Sequence, residues 1–300
     1  MSFASTIKDS LCTIPVENDC CRLSQLLALV GFAGTYSAER LKIKTENENV
    51  ALCVSQMLCD IASSDSISYK PSKSKAGIHT VTLSGDDASL VAKKLFMCDE
   101  NGNIPSFEQD DIIKDTCCKM AFLRGAFLGG GSMSDPSKNY HAEFVTKNAR
   151  LADFVAAILL SEDISAKITV RKNSFVIYIK DSEAIASLLG LMGAGMSMME
   201  FYNIKIEREV RNNVNRQVNC DSANVDKITA AASKQLEAIR KIKATVGFES
   251  LPETLVEIAT LREQNPEMSL KELGTLLSPP IGKSGVNHRL ERICEIADNL

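Results

Sequence analysis

Residues 283–300 combine an apolar stripe with a polar face at helical spacing. The apolar positions step by four, three, four and three, which predicts the buried side of a helix; they are Val286, Leu290, Ile293, Ala297 and Leu300. The first turns of that helix would present Lys283, Ser284, Asn287, His288 and Arg292 outward. Asn and Arg pair with base edges in the major groove, and Lys contacts phosphates. This pattern predicts hydrogen bonding to DNA rather than bond cleavage.

The segment before this helix predicts two further helices. One begins at Pro252-Glu253 and ends before Asn265-Pro266, and a capping box at residues 269–272 opens a short helix to Leu277. After a proline-containing turn at residues 278–282, the polar-faced helix follows, as in a helix-turn-helix domain. Ser269, Lys271 and Arg289 complete the predicted set of DNA contacts. The alternative is a three-helix bundle that binds another protein.

Residues with the types needed for catalysis do not form a complete motif. His141-Ala142-Glu143 matches half of a zinc deaminase motif, but the P-C-x-x-C partner is missing, and a solvated sheet face is the favoured interpretation. The glycines at 129–131 lack the spacing and the lysine of a phosphate-binding loop. We therefore expect no enzyme activity and no cofactor.

The ten cysteines occur singly or as adjacent pairs, without a C-x-x-C motif. We expect no metal site, and we expect Cys20-Cys21 and Cys117-Cys118 to act as small apolar residues. The chain has 34 basic and 38 acidic residues, so DNA binding requires a local basic patch. It shows neither a signal-like N-terminus nor an apolar run of membrane-spanning length, which predicts a cytoplasmic, nucleoid-associated protein that binds no membrane.

One segment of the chain occurs twice. Residues 20–37 align without gaps on residues 117–134, and each copy is an apolar helix that ends in small residues. A strand, a helix that begins near Asn47 or Asn148, a hairpin and a final helix follow each copy. Two such helices can pair around a pseudo-two-fold axis. With a short strand directly after its first helix, each copy is predicted to be αββαββα.

These patterns predict an α+β protein with four parts. Residues 1–98 and 99–212 are the two copies, 213–246 a polar linker with a long helix from about Ser222, and 247–300 the all-α helix-turn-helix domain. Residues 99–111 are expected to link the copies, and the polar stretch 208–224 to separate the domains.

The duplicated region resembles the LAGLIDADG homing endonucleases, in which two copies form a saddle that sits on DNA. Their nine-residue signature corresponds to residues 26–34 and 123–131. The penultimate position, which holds the catalytic metal in that family, is Ala33 in one copy and Gly130 in the other. Neither side chain can bind a metal ion, so the resemblance implies the fold without the nuclease chemistry. Asp135 lies nearby in a Ser-Asp-Pro sequence typical of turns.

Three blocks resemble the WhiA family of Gram-positive bacteria. They are residues 123–132, residues 215–224, and residues 270–290, which contain LKELG and PPIGKSGVNHRL. The resemblance implies a degenerate LAGLIDADG domain joined to a C-terminal helix-turn-helix. It also implies a DNA-binding regulator linked to sporulation, cell division or chromosome segregation.

We therefore expect a non-enzymatic, sequence-specific protein that binds double-stranded DNA. Candidate contacts to the DNA backbone lie in the two hairpins and in the polar stretch; they are Lys70, Lys73, Lys75, Arg171, Lys172, Asn215 and Arg216. A protein partner on the N-terminal domain is an open alternative use of that surface. The competing functions are a protein-binding scaffold with weak DNA affinity and a residual metal-dependent endonuclease.

Overall fold

The computed structural model describes residues 2–37, 40–62, 66–71, 77–95, 113 and 115–300. The chain divides into two compact units, which meet between Arg208 and Glu209. In the described residues, no helix is both long enough and apolar enough to cross a membrane.

The first unit contains the predicted duplication. A helix that the sequence analysis did not predict, α1 (Phe3–Cys12), comes first. The first copy follows as α2 (Asp19–Ala33), β1 (Gly34–Ser37), β2 (Arg40–Thr45), α3 (Glu48–Cys59), β3 (Ile67–Lys70), β4 (His79–Ser84) and α4 (Asp86–Lys94). The second copy is α5 (Thr116–Gly130), β5 (Gly131–Met133), β6 (Ala142–Thr146), α6 (Ala149–Ser161), β7 (Lys167–Arg171), β8 (Ser174–Ile179) and α7 (Ser182–Leu191). Each copy is αββαββα, as predicted.

The two sheets share one topology. Their strand orders are β1-β2-β4-β3 and β5-β6-β8-β7, and all neighbouring strands are antiparallel. Alternate residues of each sheet enter the core, for example Leu41 and Ile43 of β2. The predicted caps are present, since the side chain of Asn47 accepts a hydrogen bond from the Val50 amide and that of Asn148 from the Leu151 amide.

Helices α2 and α5 cross in close backbone contact at the centre of this unit. A Cβ atom on Gly125 would overlap the carbonyl oxygen of Gln25, and one on Gly129 would lie 2.8 Å from the carbonyl oxygen of Leu29. Gly125 in the interior of α5 and Gly129 near its end therefore permit the approach of the two backbones. Arg124 reinforces the crossing, because its guanidinium donates to the Gln25 side chain at 3.3 Å and to the Met192 carbonyl at 3.0 Å.

The second unit is helical. Helix α8 (Gly195–Thr245) crosses the boundary between the units, and α9 (Glu253–Gln264), α10 (Leu270–Leu276) and α11 (Lys283–Asp298) follow a 3-10 turn at Phe248–Ser250. The long helix thus begins well before the predicted Ser222, and the polar stretch 208–224 is helical. The reason is visible in the sequence: residues 196–246 contain neither glycine nor proline, so nothing terminates the helix that starts at Gly195.

The helix crossing generates a test. Gly125→Ala should lower the free energy of unfolding of the first unit by about 1–3 kcal/mol or more, because the new methyl group meets backbone rather than a movable side chain. The matched control is Gly190→Ala in α7, where the methyl group would only touch the Met198 sulfur at 3.4 Å. The control should be neutral or slightly stabilising. Urea unfolding of the full chain measures both; equal effects would contradict the close approach.

Candidate nucleic-acid interface

The helix-turn-helix is built around α10 and its turn into α11. The capping box forms as predicted, since Ser269 Oγ accepts from the Glu272 amide at 3.3 Å while Glu272 Oε2 accepts from the Ser269 amide at 2.8 Å. Gly274 lets the turn pack directly on α10, because a Cβ there would overlap the carbonyl oxygen of Ile281. The Ile281 amide also donates to the Gly274 carbonyl at 3.0 Å. These contacts set where α11 begins.

Two cations bind backbone carbonyl groups elsewhere in this unit. Arg262 of α9 is only 2% exposed, and its guanidinium donates to the carbonyl oxygens of Met268 at 2.7 Å and Pro266 at 3.3 Å. It therefore satisfies the backbone of the loop that leads into α10. Lys241 of α8 donates to the Ala297 carbonyl at 2.8 Å. Its positive charge stabilises the C-terminal end of α11, where the helix dipole is negative.

The predicted buried stripe of α11 is confirmed except at its end. Val286, Leu290 and Ile293 are fully buried, and Ala297 is nearly so. Leu300 lies beyond the last residue of α11 and is 46% exposed, so its predicted place in the core is wrong. The helical spacing continues in the sequence to residue 300, but the helix ends at Asp298.

The predicted outward face of α11 is present. Lys283, Ser284 and His288 are exposed on its first two turns. Asn287 Nδ2 donates to Glu291 Oε1 at 2.8 Å, and Arg292 Nη1 donates to Glu295 Oε2 at 2.8 Å. Asn287 keeps its Oδ1 and a second N–H free for a base edge, and Arg292 keeps further N–H groups. The two exposed bonds within the helix are worth only a few tenths of a kcal/mol each.

The other predicted contacts of this unit differ in availability. Lys271 is exposed on α10. The Ser269 oxygen is already an acceptor in the capping box, and Arg289 Nη1 lies 3.5 Å from the Thr254 carbonyl oxygen on α9. Asn215 and Arg216 are exposed in the middle of α8.

The sheet of the first copy presents a basic face that the sequence analysis missed. Strand β2 alternates core residues with Arg40, Lys42 and Lys44, all on one side of the sheet. In register with them on the neighbouring strands lie Thr35, Ser68, Lys70, Thr80, Thr82 and Ser84. Among the described side chains of this face, none is acidic. We call the surface formed by Arg40, Lys42, Lys44 and Lys70 the basic face; the alternating R-L-K-I-K-T sequence was the signal that could have predicted it.

The corresponding face of the second sheet is more neutral. Oε2 of Glu143 in β6 lies 3.1 Å from His141 Nε2 and 3.8 Å from Arg171 Nη1 at the end of β7. The positive charge of Arg171, a predicted contact to the DNA backbone, is therefore partly compensated by the Glu143 carboxylate. Lys172 is exposed in the two-residue turn between β7 and β8, where Lys172 and Asn173 both have positive φ. Lys73 and Lys75 lie outside the described residues.

Comparisons with known proteins identify the family. Models of the WhiA LAGLIDADG-like domain and the WhiA C-terminal HTH domain match residues 119–211 and 214–297. A relative from Ruminiclostridium cellulolyticum, named "Probable cell division protein WhiA", is 39% identical, and the alignment covers 100% of this chain and 98% of the relative. The chain belongs to the WhiA family. A relative of the same name from Lachnoclostridium phytofermentans is 40% identical, with 100% and 99% covered.

A solved WhiA structure agrees with the fold. Full-length DUF199/WhiA from "Thermatoga maritima" is 26% identical, with a TM-score of 0.59, and the match covers 100% of this chain and 99% of that one. The predicted fold class, a LAGLIDADG-like domain followed by a helix-turn-helix, is therefore confirmed. The helix-turn-helix of the WhiA family also supports DNA binding.

In this WhiA-family chain, the signature positions without carboxylates lie at the C-terminal ends of α2 and α5. Ala33 is the last residue of α2, and Gly130 is the last residue of α5. A Cβ atom on Gly130 would overlap the carbonyl oxygen of Val145 and lie 2.7 Å from the Phe32 ring. The space that an acidic side chain would need next to Gly130 is therefore filled by backbone.

The possible metal ligands of the described residues cluster away from Ala33 and Gly130. Among the described residues, groups of three or more such ligands occur only at the N-terminal ends of α2 and α5, and each contains cysteine. Asp135 forms the predicted turn: its Oδ1 accepts from the hydroxyl and amide of Ser137 at 2.7 and 2.9 Å. These hydrogen bonds lower the pKa of Asp135 below its usual value.

The two leucines of the predicted stripe provide a matched test of α11. Leu290→Ala should destabilise the second unit by about 2–5 kcal/mol, because it leaves a cavity in the helix-turn-helix core. Leu300→Ala removes the same atoms from an exposed position and should change the stability by less than about 0.5 kcal/mol. Thermal melts of the two full-length variants distinguish the sites; a large loss of stability with Leu300→Ala would refute the helix end at Asp298.

Proposed function

We propose that this chain is a sequence-specific DNA-binding regulator in which α11 enters the major groove. The observation that carries the proposal is the face of α11. Its first turns expose Lys283, Ser284 and His288 next to Asn287, while the opposite side is fully buried. Recognition helices of helix-turn-helix proteins contact base edges with their N-terminal residues. Asn287 is the side chain best suited to a base edge, and Lys283 to a phosphate.

The biological process is proposed from the relatives. Their name, "Probable cell division protein WhiA", suggests that this chain acts in cell division. Chromosome segregation and sporulation are proposed only because the sequence blocks resemble the WhiA family. A protein that regulates these processes through DNA would work in the cytoplasm on the nucleoid.

Electrostatics suggest that the helix-turn-helix does not bind DNA alone. Residues 247–300 contain five Lys and Arg residues but nine Asp and Glu residues. Arg262 is buried, which leaves four of these five cations for phosphates within residues 247–300. The basic face offers four more without a described acidic side chain among them. We infer that it binds the DNA backbone without reading sequence.

The competing function is a protein-binding scaffold with weak DNA affinity. The acidic balance of residues 247–300 favours it, as do the bonds that hold Asn287 to Glu291 and Arg292 to Glu295. Salt separates the two functions, because binding through several phosphates weakens steeply as the salt concentration rises. A DNA affinity independent of salt would favour the scaffold.

We infer that nuclease activity is absent. Hydrolysis by the LAGLIDADG route requires carboxylates that hold metal ions at the ends of α2 and α5, and these positions are Ala33 and Gly130. The packing around Gly130 supports the same conclusion. DNA cleavage by the purified protein in Mg²⁺ or Mn²⁺ that disappears with Asp135→Ala would contradict it.

Three variants test the role of α11. Asn287→Ala should lower discrimination at one base pair by about 1–3 kcal/mol, with little change in stability. Lys283→Ala should weaken binding to every sequence alike and reduce the salt slope by about one unit. Lys172→Ala, an exposed cation on the other unit, is the matched control and should leave base discrimination unchanged.

The measurement is a set of binding isotherms on chromosomal sites recovered by genome-wide mapping and on scrambled versions of them. Thermal melts establish that each variant is folded. Should Asn287→Ala and Lys283→Ala both bind like the parent protein, α11 does not enter the groove.

A further inference from the structure

Four cysteines meet where the two duplicated helices begin. Cys20 and Cys21 lie in the first turn of α2, and Cys117 and Cys118 in the first turn of α5. The crossing of the helices brings the two pairs together, and the Sγ atoms of Cys21 and Cys118 are 4.0 Å apart. This juxtaposition is invisible in local spacing, because the two pairs are separated by 97 positions.

Only part of this cluster behaves as small apolar residues. Cys21 and Cys118 are buried and pack with Ala121, Val16 and Ile113, as expected for apolar cysteines. Cys20 and Cys117 are exposed, so burial does not explain them. An exposed thiol next to two buried ones gives the cluster a path to solvent.

The sulfur positions suit a single metal ion. The Sγ atoms of Cys20, Cys21 and Cys118 all lie within 4.8 Å of one another. Thiolates bound to one Zn²⁺ at about 2.3 Å in tetrahedral geometry are roughly 3.8 Å apart, so small side-chain rotations would complete the site. Cys117 and Asp115, which form a similarly close group with Cys118, supply candidates for the fourth ligand.

Burial raises the pKa of the Cys21 thiol, and the two helix ends act in the opposite sense, because they favour anionic sulfur. Neither α2 nor α5 has a side-chain hydrogen bond from its N-cap residue, whereas α3, α6 and α7 do. Two helix N-termini therefore meet at the cluster with backbone N–H groups that a thiolate can satisfy. Sulfur ligands select thiophilic ions over Mg²⁺ or Mn²⁺, so this site is chemically distinct from the lost nuclease centre.

We propose that Cys20, Cys21 and Cys118 form a Zn²⁺ site that joins the N-terminal ends of α2 and α5. On binding, each thiol loses its proton to solvent and its sulfur forms a bond to zinc, without oxidation or reduction. Because the ligands come from both copies, the ion would cross-link the two halves of the first unit. Zinc would then stabilise that unit by mass action.

The test uses the full chain, purified with a non-thiol reductant and stripped of metal. Titration with Zn²⁺ against a chromophoric chelator should show one ion per chain, and Co²⁺ should give thiolate-to-metal charge-transfer bands. Zn²⁺ should also raise the melting temperature. Cys20→Ser changes an exposed residue, so it should keep the fold and yet weaken zinc binding by more than about 100-fold, beyond the loss typical of an outer-shell partner.

The matched control is Cys59→Ser, an exposed cysteine at the end of α3, which should bind zinc like the parent protein. Cys118→Ser should abolish zinc binding. Circular dichroism without metal compares this variant with the parent protein and establishes that it is folded. Two outcomes would overturn the proposal. The first is that the parent protein takes up no zinc, for example because its mass shows a Cys21–Cys118 disulfide. The second is that zinc binding survives in both Cys20→Ser and Cys118→Ser.

Discussion

The close backbone contact between α2 and α5 is the constraint on which the first unit depends. It requires glycine at positions 125 and 129, because a side chain at either position would meet the backbone of α2. The contact joins two copies that each bury one face of a four-stranded sheet. A single sheet with one apolar face is not stable alone, so the paired helices supply the core that both copies share.

A second packing contact lies at the C-terminal end of α5. Where the helices end, Gly130 lies against the Val145 carbonyl and the Phe32 ring, which leaves no room for an acidic side chain. Ala33 at the end of α2 and Gly130 at the end of α5 both lack a carboxylate. The DNA contact that we propose for this unit depends on charge on the sheet, above all Arg40, Lys42 and Lys44. We interpret this as a division between a first unit that contributes backbone affinity and a second unit that contributes base reading.

Sequence reasoning predicted the features that depend on local periodicity or on repetition. The duplication predicted both sheets, and helical spacing predicted that Val286, Leu290 and Ile293 are buried. The replacement of catalytic carboxylates by Ala33 and Gly130 was inferred from family resemblance rather than from periodicity, and it stays a prediction. The capping box at Ser269 was visible because its two residues are close in sequence.

The features that were missed depend on boundaries or on distant contacts. The start of α8 was placed too late because polarity was taken as a sign of a linker, although no residue there breaks a helix. Leu300 continued the apolar spacing past the end of its helix. The basic face could have been inferred from alternation in β2, but the absence of acidic side chains among its described residues depends on which strands pair. The cysteine cluster required knowledge of the helix crossing itself.

The most direct test of this division is the salt dependence of DNA binding by the full chain and by an Arg40→Ala, Lys42→Ala, Lys44→Ala variant. The slope of log affinity against log salt changes by about 0.9 for each phosphate that the protein no longer neutralises. The account predicts that the triple variant reduces the slope by about two to three units, while the preference for specific over scrambled DNA stays the same. An unchanged slope, or a loss of sequence preference in a folded variant, would contradict it.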